Sequence, residues 1–564
     1  MGICRRRNTV PYAAVLTKDE DECGPTQPTE DVDAGVGQQT FIVTKLVMLR
    51  SIGVVYFFAF LAAYNQNRAL LGSAGLSPAH SHLEQVRSRT AIDSFMAHPC
   101  IWWFWPLTDD RLDAVALAGV ALSALVCVGA CSSIVMLALW LLYFSIVTAA
   151  GGSSFYQYGW ESQMLETGFL SIFLCELRPW SLSRTHPPSV ATLWLFRWLM
   201  WRISIGAGLI KVRGDSCWTQ RRCLWYHFET QPIPSPTSFF FHFLPKPILS
   251  AAIDLDLFVQ LYSAWLVLVP GCGPLRWLRR MGGVIQAGFM FNIALSGNFS
   301  FLNHLTMIPA LACLDDACWP VWLRPTEPAA ANVPRGAPPK GQSSAMVRLG
   351  RLALDAVVVG TVGYLSLPVV ENLLQLGGRQ VMNSSFGSFR LVNTYGAFGS
   401  VGEARYEPIL SISWDGRGWT ELDFPCKPGN LTRRPCLSAP YHHRLDWNVW
   451  FIGFKPHAAM LRQREAWLYT LLAKLLTADE LALSLLDSSA REVFRGPTGE
   501  RRAPLYAKVD MWHYMMSAPL WELLPLWFRG GQPVVWWTRE YEEPLIPVVL
   551  LHDGQLARAP LPLA

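Results

Sequence analysis

The stretch LVMLRSIGVVYFFAFLAAY, Leu46–Tyr64, carries a single charge, Arg50, in an otherwise apolar run. A helix needs about 20 mainly apolar residues to cross about 30 Å of hydrocarbon. This stretch therefore predicts a membrane span, and the rest of the chain agrees with it. Hydrophobic residues make up 51% of the 564 residues and charged residues only 16%, with a formal net charge of +5. A charge that small on a chain this long, without a basic stripe interleaved with aromatics, argues against a nucleic-acid partner.

Working outward, residues 113–150 are nearly all apolar and twice the length of a span. They read as two short spans turning at GACSS, 129–133, or as one span and an in-plane helix. Residues 162–177, 190–212, 254–270, 281–296, 299–317 and 352–371 are further candidates. The expected fold is a polytopic α-helical membrane protein of about nine hydrophobic helices, the shorter ones also readable as re-entrant, followed by a C-terminal β-rich domain.

The chain divides accordingly. MGICRRRNTV starts basic, but TKDEDECGPTQPTEDVDAG follows where a signal peptide needs an apolar core. Gly2 and Cys4 hint at lipidation, yet Arg6 stands where the myristoylation pattern asks for Ser or Thr. Residues 1–44 read as a disordered cytosolic tail. Residues 45–323 form the multi-span region with non-cytosolic loops at 65–112 and 214–253. A Pro/Gly-rich linker covers 324–351, a last span 352–371, and the β-rich domain 372–564.

Lys and Arg concentrate in cytosolic connections. Arg5 to Arg7, Arg178, Arg184, Arg276 to Arg280 and the basic linker all fall on one side if nine spans alternate. That puts the N-terminus in the cytosol and everything after 371 across the membrane. The sequons at Asn383 and Asn430 lie in that final part. A third, Asn298-Phe-Ser, is squeezed between two spans, too close to the bilayer to be modified. Cys217 and Cys223, and Cys426 and Cys436, also fall on the non-cytosolic side, where disulfides persist. Zinc is the competing reading; neither pair has the usual ligand spacing or a second pair to complete a site.

The β-rich domain is expected to be a small sandwich. YEPILSISWDGRGWTELDF, 406–424, alternates polar and apolar residues around an Asp-Gly turn, which is a hairpin signal. SFRLVNTYGAF, 388–398, PLYAKVDMWHYMM and QPVVWWTREYEE read as strands, and residues 458–486 as a helical insertion.

Ionisable groups within spans suggest function, because burying them unpaired is expensive. Glu161, Glu166, Arg197, Arg202, Lys211, Arg213 and Asp215 qualify. They could pair and lock the helices, or line a polar cavity. The RGD string at 213–215 abuts a span, which does not suit an exposed adhesion loop. For chemistry there is no nucleophile elbow, Walker loop, H-E-x-x-H, Rossmann fingerprint or C-x-x-C. His442 and His443 are adjacent and, in an extended strand, point opposite ways, which suits a structural role better than one metal.

YGWESQMLETGFL, GAGLIKVRGDSCW, HFETQPIPSP, SGNFSFLNHLTMIPALACLDD, VNTYGAFGS and CKPGNLTRRPCLSAPYHHRLDWNVWF, in this order from about 45 to 455, resemble the lipase maturation factor family. The cysteines flanking KPGNLTRRP set the chain nearer one of that family's two paralogues. The resemblance implies an endoplasmic reticulum membrane chaperone, not an enzyme, with a lumenal C-terminal domain. Its implied clients are secreted homodimeric lipases of the lipoprotein, hepatic and endothelial types. Membrane lipid and other lumenal chaperones would be further partners, and no cofactor or metal is implied. Trp414, Trp419, Tyr441, Trp447 and Trp450 could cover a client's apolar surface or form the domain's own core. A membrane transferase or carboxylase using the buried Glu, Arg and Lys is the alternative.

Overall fold

Nine helices alternate in direction in the computed structural model, which describes residues 40–87, 95–175, 187–271, 273–324, 345–454, 465–528 and 533–559. They are α1 (Ile42–Leu71), α2 (Asp109–Val128), α3 (Ser133–Ala149), α4 (Gly159–Ile172), α5 (Val190–Arg213), α6 (Lys246–Leu261), α7 (Arg276–Ser296), α8 (Leu302–Leu311) and α9 (Ala345–Leu374). The contacts fix the alternation. Asp316, just after α8, accepts hydrogen bonds at 2.8 Å from the Ile42 and Val43 amides that open α1. Arg279 at the start of α7 reaches Asp315 at 3.0 Å. Arg197 in the first turns of α5 donates to the Ala312 carbonyl at 2.9 Å. These residues mark the near end of the bundle. At the far end, Ser73 after α1 meets Asp109 of α2, Lys211 of α5 meets Asp256 of α6, and Arg213 meets the Leu373 carbonyl of α9.

Six of these segments among the described residues are long and apolar enough to cross a membrane, where about nine were expected: α1, α2, α3, α5, α6 with the turn after it, and α9. The others fall short for identifiable reasons. The α4 helix has 14 residues and α8 has 10, while α7 opens on Arg276, Arg279 and Arg280. Large apolar side chains on α2, α6 and α9, such as Leu117, Phe258 and Tyr364, stay exposed, forming the kind of apolar surface that a bilayer covers.

Two boundaries move from their expected places. The α1 helix runs to Leu71 instead of ending near 64, because its polar last turns are bonded. Asn67 accepts from the Tyr156 hydroxyl at 2.6 Å, and Gln66 donates to the His442 carbonyl at 2.7 Å. The loop expected over 214–253 is three short helices, Ser216–Thr219, Leu224–Thr230 and Pro236–His242, leading into α6. The tail and most of the basic linker, with Arg178 and Arg184, lie outside the described residues.

The bundle allows contacts closer than side chains would. A Cβ on Gly119 of α2 would come 2.3 Å from the Phe60 ring of α1. Gly119→Val is therefore expected to lower stability by about 1–3 kcal/mol through overpacking, read as a fall in the thermal unfolding midpoint in detergent. An unchanged midpoint would refute this packing.

Among the described residues the C-terminal region holds one five-stranded antiparallel sheet and a two-stranded ribbon, not a sandwich. The strands are β1 (Arg405–Ser413), β2 (Thr420–Leu422), β3 (Tyr506–Met516), β4 (Trp537–His552) and β5 (Gln555–Arg558), ordered β2-β1-β3-β4-β5. Registers Leu410↔Leu422 and Arg405↔Tyr514 fix the centre. The expected hairpin is β1–β2, turning where Asp415 accepts from the Arg417 and Gly418 amides and Gly416 takes φ +76°. The helix Ala466–Leu476, from the expected insertion, supplies the second layer; residues 455–464 of that insertion lie outside the described residues.

The stretch 388–398 is not a full strand. Only Asn393–Thr394 pair, with Ser384–Ser385, because the helices use its backbone. Asn393 N–H donates to Glu166 at 3.0 Å and its carbonyl accepts from Arg202 at 2.8 Å. From residue 40 on, the described residues accordingly form one unit in which sheet and bundle share a core.

Candidate functional site

Three buried ion clusters weld the sheet region to the bundle. In the first, Arg444 donates to Glu161 of α4 at 2.7 Å and to the Phe155 carbonyl at 2.8 Å, both charged side chains fully buried. Tyr143 also donates to Glu161. In the second, Glu166 pairs with Arg202 of α5 and accepts from the Tyr395 hydroxyl at 2.6 Å. The third joins Glu407 to Arg405 and to Lys427, the latter at 2.5 Å. Arg405 also donates to the Glu229 and Pro232 carbonyls at 2.8 and 3.0 Å. Burial pulls Lys427 below its ordinary pKa even with Glu407 beside it, which shows how dry this third cluster is.

The KVRGDSCW turn is held in the same way. Lys211 meets both oxygens of Asp256 at 2.7 Å and lies 4.5 Å from the Trp218 ring centre. Arg213 donates to Gln380 at 2.7 Å. Asp215 caps the next helix by accepting from the Cys217 amide at 2.9 Å, and its own amide donates to the Gly399 carbonyl. Cys217 pairs with Cys223, and Cys426 with Cys436, with Cα separations of 4.9 and 5.5 Å. Among the described residues no cluster of His, Cys, Asp or Glu is placed to hold a metal. Closing loops this short stabilises by about 2–3 kcal/mol. Cys426→Ser is expected to lose that much, measured as a drop in the thermal midpoint of the full chain; equal midpoints would show that the bond contributes nothing.

The sequons differ in surroundings. Asn430 is exposed, and its carbonyl oxygen accepts from the Thr432 amide and hydroxyl, both at 2.9 Å. Asn383 is exposed. Asn298 is buried because it clamps the disulfide loop, donating to the Cys436 carbonyl at 2.9 Å and accepting from Ser438 at 2.8 Å. Protein contacts by themselves close that sequon.

Between the far end of the bundle and the C-terminal region lies a cavity of about 600 Å³. One wall is aromatic: Trp447 sits 4.9 Å from Trp160, which stacks on Tyr158 at 4.5 Å. His442 seals its back at 5.1 Å from both the Tyr158 and Trp160 rings, and burial with Arg444 nearby holds it neutral, far below its ordinary pKa. Trp450, fixed by a 3.0 Å bond to the Thr230 carbonyl, forms the rim with Phe451 and Phe454. Ile203, Met290, Ile293 and Leu302 form the helical wall.

The structure thus brings Lys211, Asn383, Trp447 and Trp450 to one cavity, with Glu161 and Glu166 buried in α4. Arg197 lies at the near end, bonded to Ala312. Trp414 and Trp419 line no part of the cavity and instead carry Arg502 and Lys508 over their rings at 4.9 and 4.8 Å. The Tyr441 hydroxyl accepts from Gln66 at 3.1 Å. His227 and Asn303 also line the cavity without any motif that marks them in the sequence; the one local signal is the Asn303/Thr306 spacing on the buried face of α8.

The chain matches two family models: the lipase maturation factor transmembrane domain over residues 43–321 and the lipase maturation factor C-terminal domain over 391–547. It is 39% identical to Lipase maturation factor 1 of Bos taurus, covering 91% of this chain and 90% of that protein. It is 38% identical to the Homo sapiens protein of that name, covering 91% and 89%. Against Lipase maturation factor 2 of Homo sapiens identity falls to 25%, over 91% of this chain and 83% of the relative. No solved structure matches the chain. Matched across both of its halves and nearer the first paralogue than the second, this chain belongs to the lipase maturation factor family.

Proposed function

We propose that this protein is a membrane-embedded chaperone that brings secreted lipases to an active state. In this reading the six long apolar helices cross the endoplasmic reticulum membrane and the short α4 and α8 run between its faces inside the bundle, with the near end cytosolic and the far end lumenal. The clients are secreted homodimeric lipases of the lipoprotein, hepatic and endothelial types, and other lumenal chaperones share the work. The observation that carries it is the far end itself. Both disulfides, both exposed sequons and an aromatic-rimmed cavity gather there, while Arg276, Arg279, Arg280 and Arg324 belong to segments at the near end. A partly folded lipase exposes apolar surface until its subunits dock. Phe451 and Phe454, 37% and 49% exposed beside Trp450, offer a rigid surface to cover it.

The relatives are named as maturation factors, and the buried charges support the same reading over an enzyme. Glu161, Glu166 and Lys211 each have a buried or half-buried counter-ion within the protein, which leaves them engaged in holding elements together.

The test is to express a dimeric lipase with and without this protein and to compare secreted activity per unit of secreted mass. A several-fold rise with the protein is expected; an unchanged ratio together with unchanged secretion would refute the reading. Sidedness is tested separately in sealed microsomes. Asn430→Gln is expected to remove one glycosidase-sensitive step in mobility, and the C-terminal region to resist added protease. A C-terminal region unglycosylated and digested would reverse the proposed orientation.

A further inference from the structure

The cavity has an unusual electrostatic character. Among the described residues Lys211 is the one Lys, Arg, Asp or Glu in its lining, and Asp256 neutralises it through two 2.7 Å contacts. His227 is 7% exposed and burial pushes its pKa down to about 3, so its imidazole is neutral at physiological pH. A neutral imidazole presents one donor and one acceptor. Asn303, 3% exposed on α8, presents both kinds. Neither side chain hydrogen-bonds within the protein among the described residues, although a buried polar group without a partner is costly. Both belong to the cavity lining.

The walls around them are mostly apolar, with uncharged groups such as Gln163, Gln260 and Thr306 among them. Ile203 of α5, Met290 and Ile293 of α7, Leu302 of α8 and Phe299 face the aromatic side formed by Trp447. At about 600 Å³ the space falls within the range of small-molecule sites, roughly 300–1,000 Å³. The space opens to the surface beside Gln157, Asn383 and Phe454, which gives a ligand a way in. Water is a poor partner for the apolar part of the lining, which gains by being covered. The occupant therefore has a large apolar body and a small uncharged polar head. A supply of such molecules lies close by: Phe291 and Leu295, next to Met290 and Ile293 on α7, are exposed on the outer apolar surface.

We infer that this cavity binds an uncharged lipid, its apolar body between α5, α7, α8 and Trp447, and its hydroxyl or carbonyl groups hydrogen-bonded by His227 and Asn303. An ionised fatty acid or an anionic phospholipid would bring a charge with no free cation in the lining to meet it, which is unfavourable against mostly apolar walls. Acylglycerols and sterols share the required chemistry.

The experiment uses the purified full-length protein in detergent with three photoreactive, alkyne-tagged probes: a monoacylglycerol, a sterol and a fatty acid at neutral pH. Saturable labelling by an uncharged probe is expected, competed by the same unlabelled lipid and mapped to peptides containing Met290 to Asn303 or Trp447 to Phe454. The uncharged probe that labels identifies acylglycerol or sterol as the source. The fatty acid should label about tenfold less, a 1.4 kcal/mol discrimination. Met290→Trp fills the cavity and should cut labelling about tenfold on the same scale, while Phe291→Trp on the outer face should label as the native chain does. Asn303→Leu should weaken labelling several-fold through one lost hydrogen bond. Thermal midpoints within a few degrees of native certify the variants, and should Met290→Trp fail that check, Asn303→Leu decides. Labelling that does not saturate, that is equal for the fatty acid, or that persists undiminished in a folded cavity variant would overturn the inference.

Discussion

Replacing Arg444 with methionine should strip the protein of most of its folded population. The change removes the cation from a fully buried pair and leaves Glu161 without its counter-ion beside Tyr143 in the junction. Breaking a buried pair by removing one partner costs about 3–5 kcal/mol, a large part of the 5–15 kcal/mol by which a domain is stable. The Phe155 carbonyl also loses its donor, and the Tyr156 ring loses a guanidinium 3.6 Å away. Steady-state abundance and the thermal midpoint in detergent are the measurements. The double variant Arg444→Met with Glu161→Gln should recover much of the loss, since no lone charge then remains. A single variant of native abundance and midpoint would show that the pair does not join α4 to the C-terminal region.

An equally large loss is expected for Glu407→Gln. Glu407 is the sole acid between Arg405 and Lys427, and all three side chains are no more than 1% exposed. Neutralising it leaves two cations facing each other in a dry site, again at about 3–5 kcal/mol for the broken contacts. The effect should be read in two ways. The midpoint should fall, and residues 405–413 should become accessible to limited proteolysis, because Arg405 is what ties β1 to the 229–232 carbonyls. Glu407→Gln together with Lys427→Met should be milder than Glu407→Gln alone. Equal midpoints for native and single variant would sink the idea that this cluster holds the sheet on the bundle.

Some elements were legible in advance because their information is local. The apolar run at 46–64 predicts a helix by hydropathy alone, and the structure extends it only where Gln66 and Asn67 find partners more than 80 residues away. The β1–β2 hairpin followed from an Asp-Gly turn whose geometry is set by its own residues. The two cysteine pairs lie six and ten residues apart, so short loops bring them together. The cavity was not legible. Trp447 stood out as an aromatic, but Ile203, Met290, Phe299 and Asn303 are unremarkable on their own helices and gain meaning only where α5, α7 and α8 converge. The stretch 388–398 failed as a strand because Glu166 and Arg202, more than 180 residues earlier, take its hydrogen bonds.

By itself the amino-acid sequence determined the class of the molecule: greasy helices, a β-rich end, short-range disulfides, and a set of charges that had to be paired wherever they were buried. Hydropathy, turn chemistry and the cost of a lone buried charge act residue by residue, so they can be read from the string. Which charge meets which, and therefore that the β-rich end is fused to the bundle around an uncharged cavity, was decided by tertiary structure alone. The sequence offers Glu161 several cations, and among the described residues it is Arg444 that meets it, at 2.7 Å. That choice depends on how every helix packs against its neighbours, a property no window of sequence contains.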